Sequence, residues 1–517
     1  MKKCCLAVLG FLLINVTIAF GDCGDAAREA FGQKGTVELP SSDDRLDTVI
    51  QDLPQKIEAW VERTRHASVS LAIVHGREII YSQAFGFADL EKQIPATKET
   101  IYPLASITKV FTATMLAQLC EKGVVDLETP LNKYIPEYNV KSRFAAVRPT
   151  TLRQLASHTS GLPKDAPNNF WHGYSAFGFI VTGGQADLAD FVSKDEVLES
   201  LEFIELEFPP DIYSHYSNLG FQLLGMALEK AAGVPFAEYL ETNILQPLGM
   251  GKSGFTFDDA DSSRMTVGYV CTGPEAPFLQ TPRWMPGCAL YSGGLYATAE
   301  DLARFVSLQF QDATEKGGQI LSTGMLRRMR SPNSVRRPGA RDSYGLGWGV
   351  VRIADYDAIE HNGALVGHGA HVSAIPELEL GIVVLSNSRN HMWSAGGCKH
   401  LARELYPDLI TAIGPAEADE SVQRETLDLS PYEGRFVLPG GYANIELTKA
   451  DGRLMMSIIE DPSFDQPMIP LNPYEFCFEE DPARTPILFF QANDERGVET
   501  VSFLSYVFRR ATRDPSE

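Results

Sequence analysis

The chain has 517 residues, enough for two or three domains at roughly 150 residues each. Its side chains are 44% hydrophobic and 22% charged, a balance that excludes both a disordered chain and a multi-span membrane protein. Acidic residues outnumber basic ones 67 to 45, for a formal net charge of −22; such a surface repels phosphate backbones and anionic lipid heads, so neither nucleic acid nor a membrane surface is expected as a partner.

The first three residues, Met1-Lys2-Lys3, form a short basic segment ahead of an uncharged apolar run from Cys4 to Phe20. Small residues at Ala19 and Gly21 then fit a cleavage site before Asp22, so residues 1–21 have the form of a secretory signal peptide and the chain is expected to be secreted or periplasmic. An uncleaved anchor helix is the plainer alternative, although the run is short for a bilayer span. Without the signal, and so without Lys2 and Lys3, the formal charge moves from −22 to −24. The remaining cysteines, Cys23, Cys120, Cys271, Cys288, Cys398 and Cys477, are widely separated, with neither CxxC nor zinc-type spacing. Their pairing cannot be read.

Residues 22–61 read as a polar, then amphipathic lead-in ending in a helix. Ser70–Val74, the turn His75-Gly76-Arg77 and Glu78–Phe85 read as a β-hairpin. A helical pattern spans Ile107–Lys122 and stops at Gly123; a second spans Asn218–Ala232 and stops at Gly233. Residues 260–345, rich in Gly, Pro and Ser, read as long loops with short helices, and Ile382–Ser386 as a strand buried on both faces. Residues 411–429 are acidic and poorly periodic, as an interdomain linker would be. Beyond it, Tyr442–Thr448, Arg453–Ile459, Ile487–Ala492 and Val501–Phe508 are short β-type runs between turn signals, predicting a small all-β barrel or sandwich over 430–512.

Three short motifs could carry chemistry. Ser106-Ile107-Thr108-Lys109 puts a lysine one helical turn after a serine, so the amine returns to the hydroxyl. A helix N-terminus and neighbouring positive groups would disfavour the ammonium there, and a neutral lysine can accept the serine proton. Tyr216-Ser217-Asn218 supplies a phenol that can relay a proton if a nearby cation lowers its pKa, and an amide that can donate to a substrate carbonyl and accept from the lysine. In His361-Asn362-Gly363-Ala364, Gly363 would let substrate approach a strand edge, and the Ala364 N–H could join that of Ser106 as an oxyanion hole. Taken singly, each has a plainer reading: an N-capping serine, a buried aromatic before an N-cap, a simple turn. His361, His368 and His371 match no zinc spacing, and no metal is expected. An α/β-hydrolase reading finds no support, because no G-x-S-x-G nucleophile elbow occurs.

Together, in order and spacing, the three motifs resemble the S-x-x-K, Y-x-N and K-T-G or H-x-G elements of the serine β-lactamase and penicillin-binding-protein superfamily. The nearest likeness is to its class C β-lactamase-related group, which includes D-aminopeptidases, esterases and D-alanyl-D-alanine carboxypeptidases. The resemblance covers about residues 62–405. It includes Phe85-Gly86-Phe87-Ala88-Asp89, Leu155-Ala156-Ser157-His158-Thr159-Ser160-Gly161-Leu162-Pro163, Pro247-Leu248-Gly249-Met250, Tyr344-Gly345-Leu346-Gly347-Trp348 and Val384-Leu385-Ser386-Asn387. Tyr432-Glu433-Gly434-Arg435-Phe436 resembles the start of the lipocalin-like domain appended to some members.

The resemblance implies an α/β (α+β) catalytic domain over 62–410: a mixed antiparallel sheet flanked by helices, with a helical subdomain and the active site at their junction. It implies Ser106 as nucleophile, Lys109 and Tyr216 as proton-transfer groups, Asn218, His361, Gly363 and Ala364 as substrate-binding residues, and no cofactor. The expected function is a serine hydrolase that cleaves amide or ester bonds of small peptides or esters through an acyl-enzyme. D-amino-acid substrates are included. The alternative is a non-hydrolytic, penicillin-binding-like binding or scaffold protein. Two departures stand out. His361-Asn362-Gly363 replaces the Lys-Thr-Gly whose Lys and Thr help recognise a substrate carboxylate, and a histidine is cationic only part of the time near neutral pH. This predicts weak or no β-lactamase activity. His368 also stands where relatives usually carry an aromatic residue.

Overall fold

The computed structural model describes residues 42–144, 149–166, 192–211, 214–256, 263–271, 276–282, 287–310, 320–333, 343–390, 396–414, 429–437, 444–450, 453–459, 461–472, 475–478, 487–491, 498–503 and 506–510. The expected signal peptide, Cys23 and most of the expected linker lie outside these residues.

An eight-stranded sheet forms the centre. Its spatial order is Ile94–Pro95, Glu78–Asp89, Ser68–His75, Leu380–Ser386, His368–Ile375, Tyr356–Leu365, Gly349–Ile353 and Ser343–Tyr344. Every neighbouring pair runs antiparallel, so the expectation of a mixed sheet is corrected here. The predicted hairpin forms, with His75 opposite Glu78. Leu380–Ser386 is buried along its whole length because it lies between two strands and under helices on both faces.

The two-residue period of a strand sorts side chains into two cores. Ala72, Val74, Val383 and Leu385 face one cluster, shared with the helices Thr108–Glu121, Asn218–Ala232 and Ala299–Ser307. Val69, Leu71, Ile73, Ile382 and Val384 face the other, filled by Leu53, Ile57 and Trp60 of the helix Ser42–Thr64 and by Leu401, Leu405 and Leu409 of the helix Gly396–Ile413. Burying each such aliphatic side chain contributes about 1.5–3 kcal/mol, so these clusters far outweigh the exposed Lys56–Asp408 and Arg63–Glu404 ion pairs that also join the two outer helices. The same alternation governs the site. On the strand Tyr356–Leu365, Ile359 faces the first cluster and Ala358 the second.

The helix predicted over 218–232 is present with these limits. Ser217 caps it by accepting from the Gly220 N–H at 2.9 Å, and Gly233, at φ 71°, ends it. The middle section holds more β structure than its composition suggests. Gly268–Cys271 and Phe278–Thr281 pair antiparallel, and Ser388–Asn390 joins them in parallel.

The helix Gly396–Ile413 includes the first three residues of the expected linker. Beyond it, Gly434–Val437, Asn444–Ala450, Arg453–Ile458, Asp461–Asn472, Glu475–Phe478, Ile487–Gln491, Val498–Phe503 and Tyr506–Arg510 pair in chain order, and the first also pairs with the last. The single run expected over 501–508 is instead parts of two paired strands, with Phe503 opposite Tyr506. Among the described residues, no helix is long and apolar enough to cross a membrane, and Cys120, Cys271, Cys288 and Cys398 are free thiols.

Candidate active site

Ser106 does not cap the helix that follows it. It sits in a 3-10 turn, Ala105–Ile107, ahead of the α-helix Thr108–Glu121, whose N-cap position is Ile107. Ala105 has φ 47°, a left-handed conformation that costs a non-glycine residue of order 1–3 kcal/mol and persists only where the surroundings enforce it. One turn on, the Lys109 side chain is fully buried, and its Nζ donates to Ser106 Oγ at 3.0 Å and to the Ser292 carbonyl at 2.9 Å.

The short helix that carries Ser292, Leu290–Gly293, is fastened to the helix Thr108–Glu121. Thr112 Oγ1 donates to the Tyr291 carbonyl at 2.6 Å, and the Leu295 N–H donates to Thr108 Oγ1 at 3.1 Å. Burial drives the Lys109 ammonium down to about 7, with Asp165 opposing the change and Lys164 adding to it. The expected direction holds, but removal from water is the leading cause, rather than a helix end or neighbouring cations. With one proton on the Ser292 carbonyl, a neutral amine keeps its lone pair for Ser106.

Tyr216 lies beside this pair, its ring centroid 4.9 Å from Lys109 Nζ and its hydroxyl hydrogen-bonded with the Ser106 side chain. Burial pushes its pKa well above the ordinary phenol value, Tyr344 adds to the rise, and the Ser106 bond opposes it. The expectation that an adjacent cation lowers it is therefore corrected: Tyr216 stays protonated and can pass a proton but not act as a phenolate. Asn218 is the first residue of its helix. Its Nδ2 donates to Asp165 Oδ1 at 2.9 Å, so in this state the amide serves a carboxylate and not the lysine.

The third motif divides between the two faces of the sheet. His361 faces the first core, its ring 6.4 Å from those of Tyr216 and Tyr344. Asn362 faces the other side, where Oδ1 bonds His371 Nδ1 at 2.8 Å; His371 Nε2 meets Ser373 Oγ at 3.0 Å, and Tyr406 OH donates to that oxygen at 2.9 Å. Glu360, on the same side, pairs with Arg403 at 2.8 Å and with Lys399. His361 and His371 thus cannot share one ion, and among the described residues no cluster of His, Cys, Asp and Glu could hold a metal.

Burial pushes His361 down to about 3, helped by Lys109. The ring is neutral at physiological pH, which corrects the expectation of a part-time cation. His368 packs against Gly268, where a Cβ would lie 2.5 Å from its ring, and its Nε2 bonds Thr266 Oγ1 at 3.1 Å. A Cβ on Gly363 would lie 2.1 Å from the Leu104 carbonyl. Only glycine lets this strand close against the segment that leads into Ser106, which brings the Ala364 backbone alongside the turn Ala105–Ile107.

Three further groups join the site without having been expected there. His158, at φ 58°, lies 4.4 Å from the Tyr216 ring and 4.9 Å from that of Tyr344. Asp165 bonds Asn218. Ser292 offers only its carbonyl. The first and Tyr344 fall inside segments that carried the family resemblance, which was the available signal; a backbone carbonyl leaves none.

Known proteins resemble this chain in sequence and in fold. Similar curated proteins include Beta-lactamase-like protein 2 of Dictyostelium discoideum, 30% identical over 308 residues, 59% of this chain and 52% of that protein. The D-alanyl-D-alanine-carboxypeptidase/endopeptidase AmpH of Escherichia coli is 27% identical over 335 residues, covering 61% of this chain and 78% of AmpH. The chain thus spans only about half the length of the first relative. Among solved structures, an octameric penicillin-binding protein homologue from Pyrococcus abyssi shares the fold at TM-score 0.58 and 23% identity, over 89% of this chain and 99% of that one. A β-lactamase/D-alanine carboxypeptidase from Yersinia pestis does so at 0.56 and 24%, over 70% and 98%. The beta-lactamase family model matches residues 47–406, a span that holds all three motifs and the whole central sheet, and the chain therefore belongs to the beta-lactamase family of the serine β-lactamase and penicillin-binding-protein superfamily.

Proposed function

We propose that this protein is a serine hydrolase that cleaves amide or ester bonds of small peptides and esters, D-amino-acid substrates included, with weak or no β-lactamase activity. The observation that carries the reading is the fully buried Lys109 amine, 3.0 Å from Ser106 Oγ, whose burial lowers its pKa to about 7. Such a lysine is a usable base at neutral pH.

In this mechanism neutral Lys109 takes the Ser106 proton as Oγ attacks the substrate carbonyl. The N–H groups of Ser106 and Ala364 receive the developing oxyanion. Lys109, through the protonated Tyr216, returns the proton to the leaving nitrogen or oxygen as the tetrahedral intermediate collapses to an acyl-enzyme. Water, deprotonated by the same pair, then releases the acid and restores Ser106. The relation to AmpH, named as a carboxypeptidase and endopeptidase, supports amide cleavage, and the neutral His361 in place of a lysine supports poor recognition of β-lactam carboxylates. Export by residues 1–21 and a lipocalin-like C-terminal module over 430–512 complete the proposal.

The test is hydrolysis of p-nitrophenyl esters and amino-acid p-nitroanilides by wild type and Ser106→Ala. Turnover lost in the variant supports the reading; equal behaviour of the two refutes it. Stable labelling by a fluorescent penicillin without turnover of any substrate would favour the binding-protein alternative.

A further inference from the structure

Tyr216 is held on both flanks by a single residue, His158. The N–H of His215, just before it, donates to the His158 carbonyl at 2.7 Å, and the N–H of Ser217, just after it, donates to His158 Nδ1 at 3.0 Å. The imidazole also lies against the phenol ring, centroid to centroid 4.4 Å at 37°. Phe221 at 5.0 Å and Tyr344 at 4.9 Å pack on the same imidazole, so it has little room to turn.

His158 does this from a left-handed backbone, φ 58°, which a residue other than glycine keeps only where its surroundings enforce it. Those surroundings are the turn that ends the short helix Leu152–Ala156. The Thr159 N–H donates back to the Gln154 carbonyl at 2.8 Å, and the Thr159 carbonyl accepts from the Asp211 N–H at 2.9 Å. The Asp211 carboxylate in turn accepts from Arg153 at 2.9 Å and from Gln154 at 2.6 Å. The segment that leads to Tyr216 is thus tied to the turn that carries His158.

Burial, with Lys109 adding to it, keeps His158 well below its ordinary pKa, so the ring is neutral at physiological pH and Nδ1 is free to accept. Its proton is then on Nε2, a buried atom with no hydrogen-bond partner among the described residues. A buried polar atom left unpaired costs stability, and an apolar side chain would fill the same aromatic box without that cost. What an apolar side chain lacks is the acceptor for Ser217.

We propose that His158 is a positioning residue for proton transfer: accepting from His215 at its carbonyl and from Ser217 at its ring, it fixes the Tyr216 phenol at Ser106 and Lys109, where the phenol delivers the proton to the leaving group. The inference deepens the hydrolase reading above and rests on it. His158 itself touches neither substrate nor Ser106; it acts through Tyr216.

The experiment compares kcat/KM, which reports acylation, for p-nitrophenyl acetate and phenyl acetate in wild type, Ser106→Ala, Tyr216→Phe, His158→Asn and His158→Leu. The two esters share their acyl group, but p-nitrophenoxide departs without a proton, whereas the more basic phenoxide gains from one delivered in the transition state. Asparagine and leucine share a side chain branched at Cγ; asparagine places Oδ1 where Nδ1 stood and tolerates a left-handed backbone, while leucine offers no acceptor. His158→Leu is expected to lower the phenyl acetate value about a hundredfold and the p-nitrophenyl acetate value about tenfold or less. His158→Asn is expected to recover about tenfold or more of the phenyl acetate loss. Adding Tyr216→Phe to the leucine variant should cost less than about threefold further, because the phenol is already out of place.

A leucine variant that loses both esters alike, an asparagine variant no better than the leucine one, or losses from His158→Leu and Tyr216→Phe that multiply overturns the inference, while Ser106-dependent hydrolysis by wild type leaves the hydrolase reading standing. If wild type and Ser106→Ala agree on both esters, both fall. Should the leucine variant not fold, the asparagine variant decides: its ratio of the two kcat/KM values must stay within about threefold of wild type, and a larger shift overturns the inference.

Discussion

The account depends on Lys109 being neutral when it meets Ser106, and the pH dependence of acylation exposes that directly. A lysine with its ordinary pKa near 10.4 would be about 0.4% neutral at pH 8, and its neutral fraction would rise about a hundredfold between pH 6 and 8 without levelling. Lys109, brought down to about 7 by burial, is instead about a tenth neutral at pH 6 and about nine-tenths neutral at pH 8. The kcat/KM for p-nitrophenyl acetate, with the Ser106→Ala background subtracted at each pH, is therefore expected to rise about tenfold over that interval and then plateau. An uncharged ester is the right substrate because its own ionisation does not move. Lys109→Arg serves as the control: a guanidinium remains protonated throughout the range and should abolish the rise with the activity. A rate climbing tenfold per pH unit past pH 8.5, or one flat from 6 to 8, would refute the assignment of Lys109 as the base.

Other consequences follow from the same geometry. Gly363→Ala places a Cβ 2.1 Å from the Leu104 carbonyl, so strand and turn must separate; a stability loss of about 1–3 kcal/mol and a fall in kcat/KM of about a hundredfold are expected by urea unfolding and ester hydrolysis, and a fully active variant would contradict the close approach. His66, His361, His368 and His371 are buried and held down to about 4, 3, 4 and 3, chiefly by burial. Their folded pKa values lie below the unfolded value near 6.5, so the unfolded chain binds more protons as pH falls, and stability present above pH 6.5 is lost on acidification by about 1.4 kcal/mol per pH unit for each ring. Thermal midpoints should drop between pH 7 and 5.5, above the main carboxylate range; a constant or rising midpoint would contradict this.

Much of the fold was legible because local and long-range signals agreed. Ser217 and Gly233 bracket a helix by cap chemistry, and the apolar run at Ile382–Ser386 needed cover on both faces. Where tertiary contact decides, the pattern was silent. Gly268–Cys271 is a strand because partners arrive from Phe278–Thr281 and Ser388–Asn390, and Asp461–Asn472 pairs on both sides despite Pro462, Pro467 and Pro470.

The site shows the same division. The Ser106–Lys109 spacing follows from helical geometry and could be read. The left-handed turn at Ala105, the burial that sets the Lys109 titration, and the segregation of His361 from Asn362 onto opposite faces all depend on what packs around them. Motif reading grouped His361 with Asn362, but strand alternation assigns the first to the side of Tyr216 and Tyr344 and the second to a buried network with His371, Ser373 and Tyr406.

The most direct test of the central claim is mass spectrometry of the intact protein and its peptides after brief exposure to p-nitrophenyl acetate or an amino-acid ester, quenched in acid to trap the acyl-enzyme. The account predicts one acyl group per chain, on the peptide containing Ser106, absent from Ser106→Ala and slow to appear in Lys109→Arg. An adduct on another residue, or turnover that survives in Ser106→Ala, would contradict it.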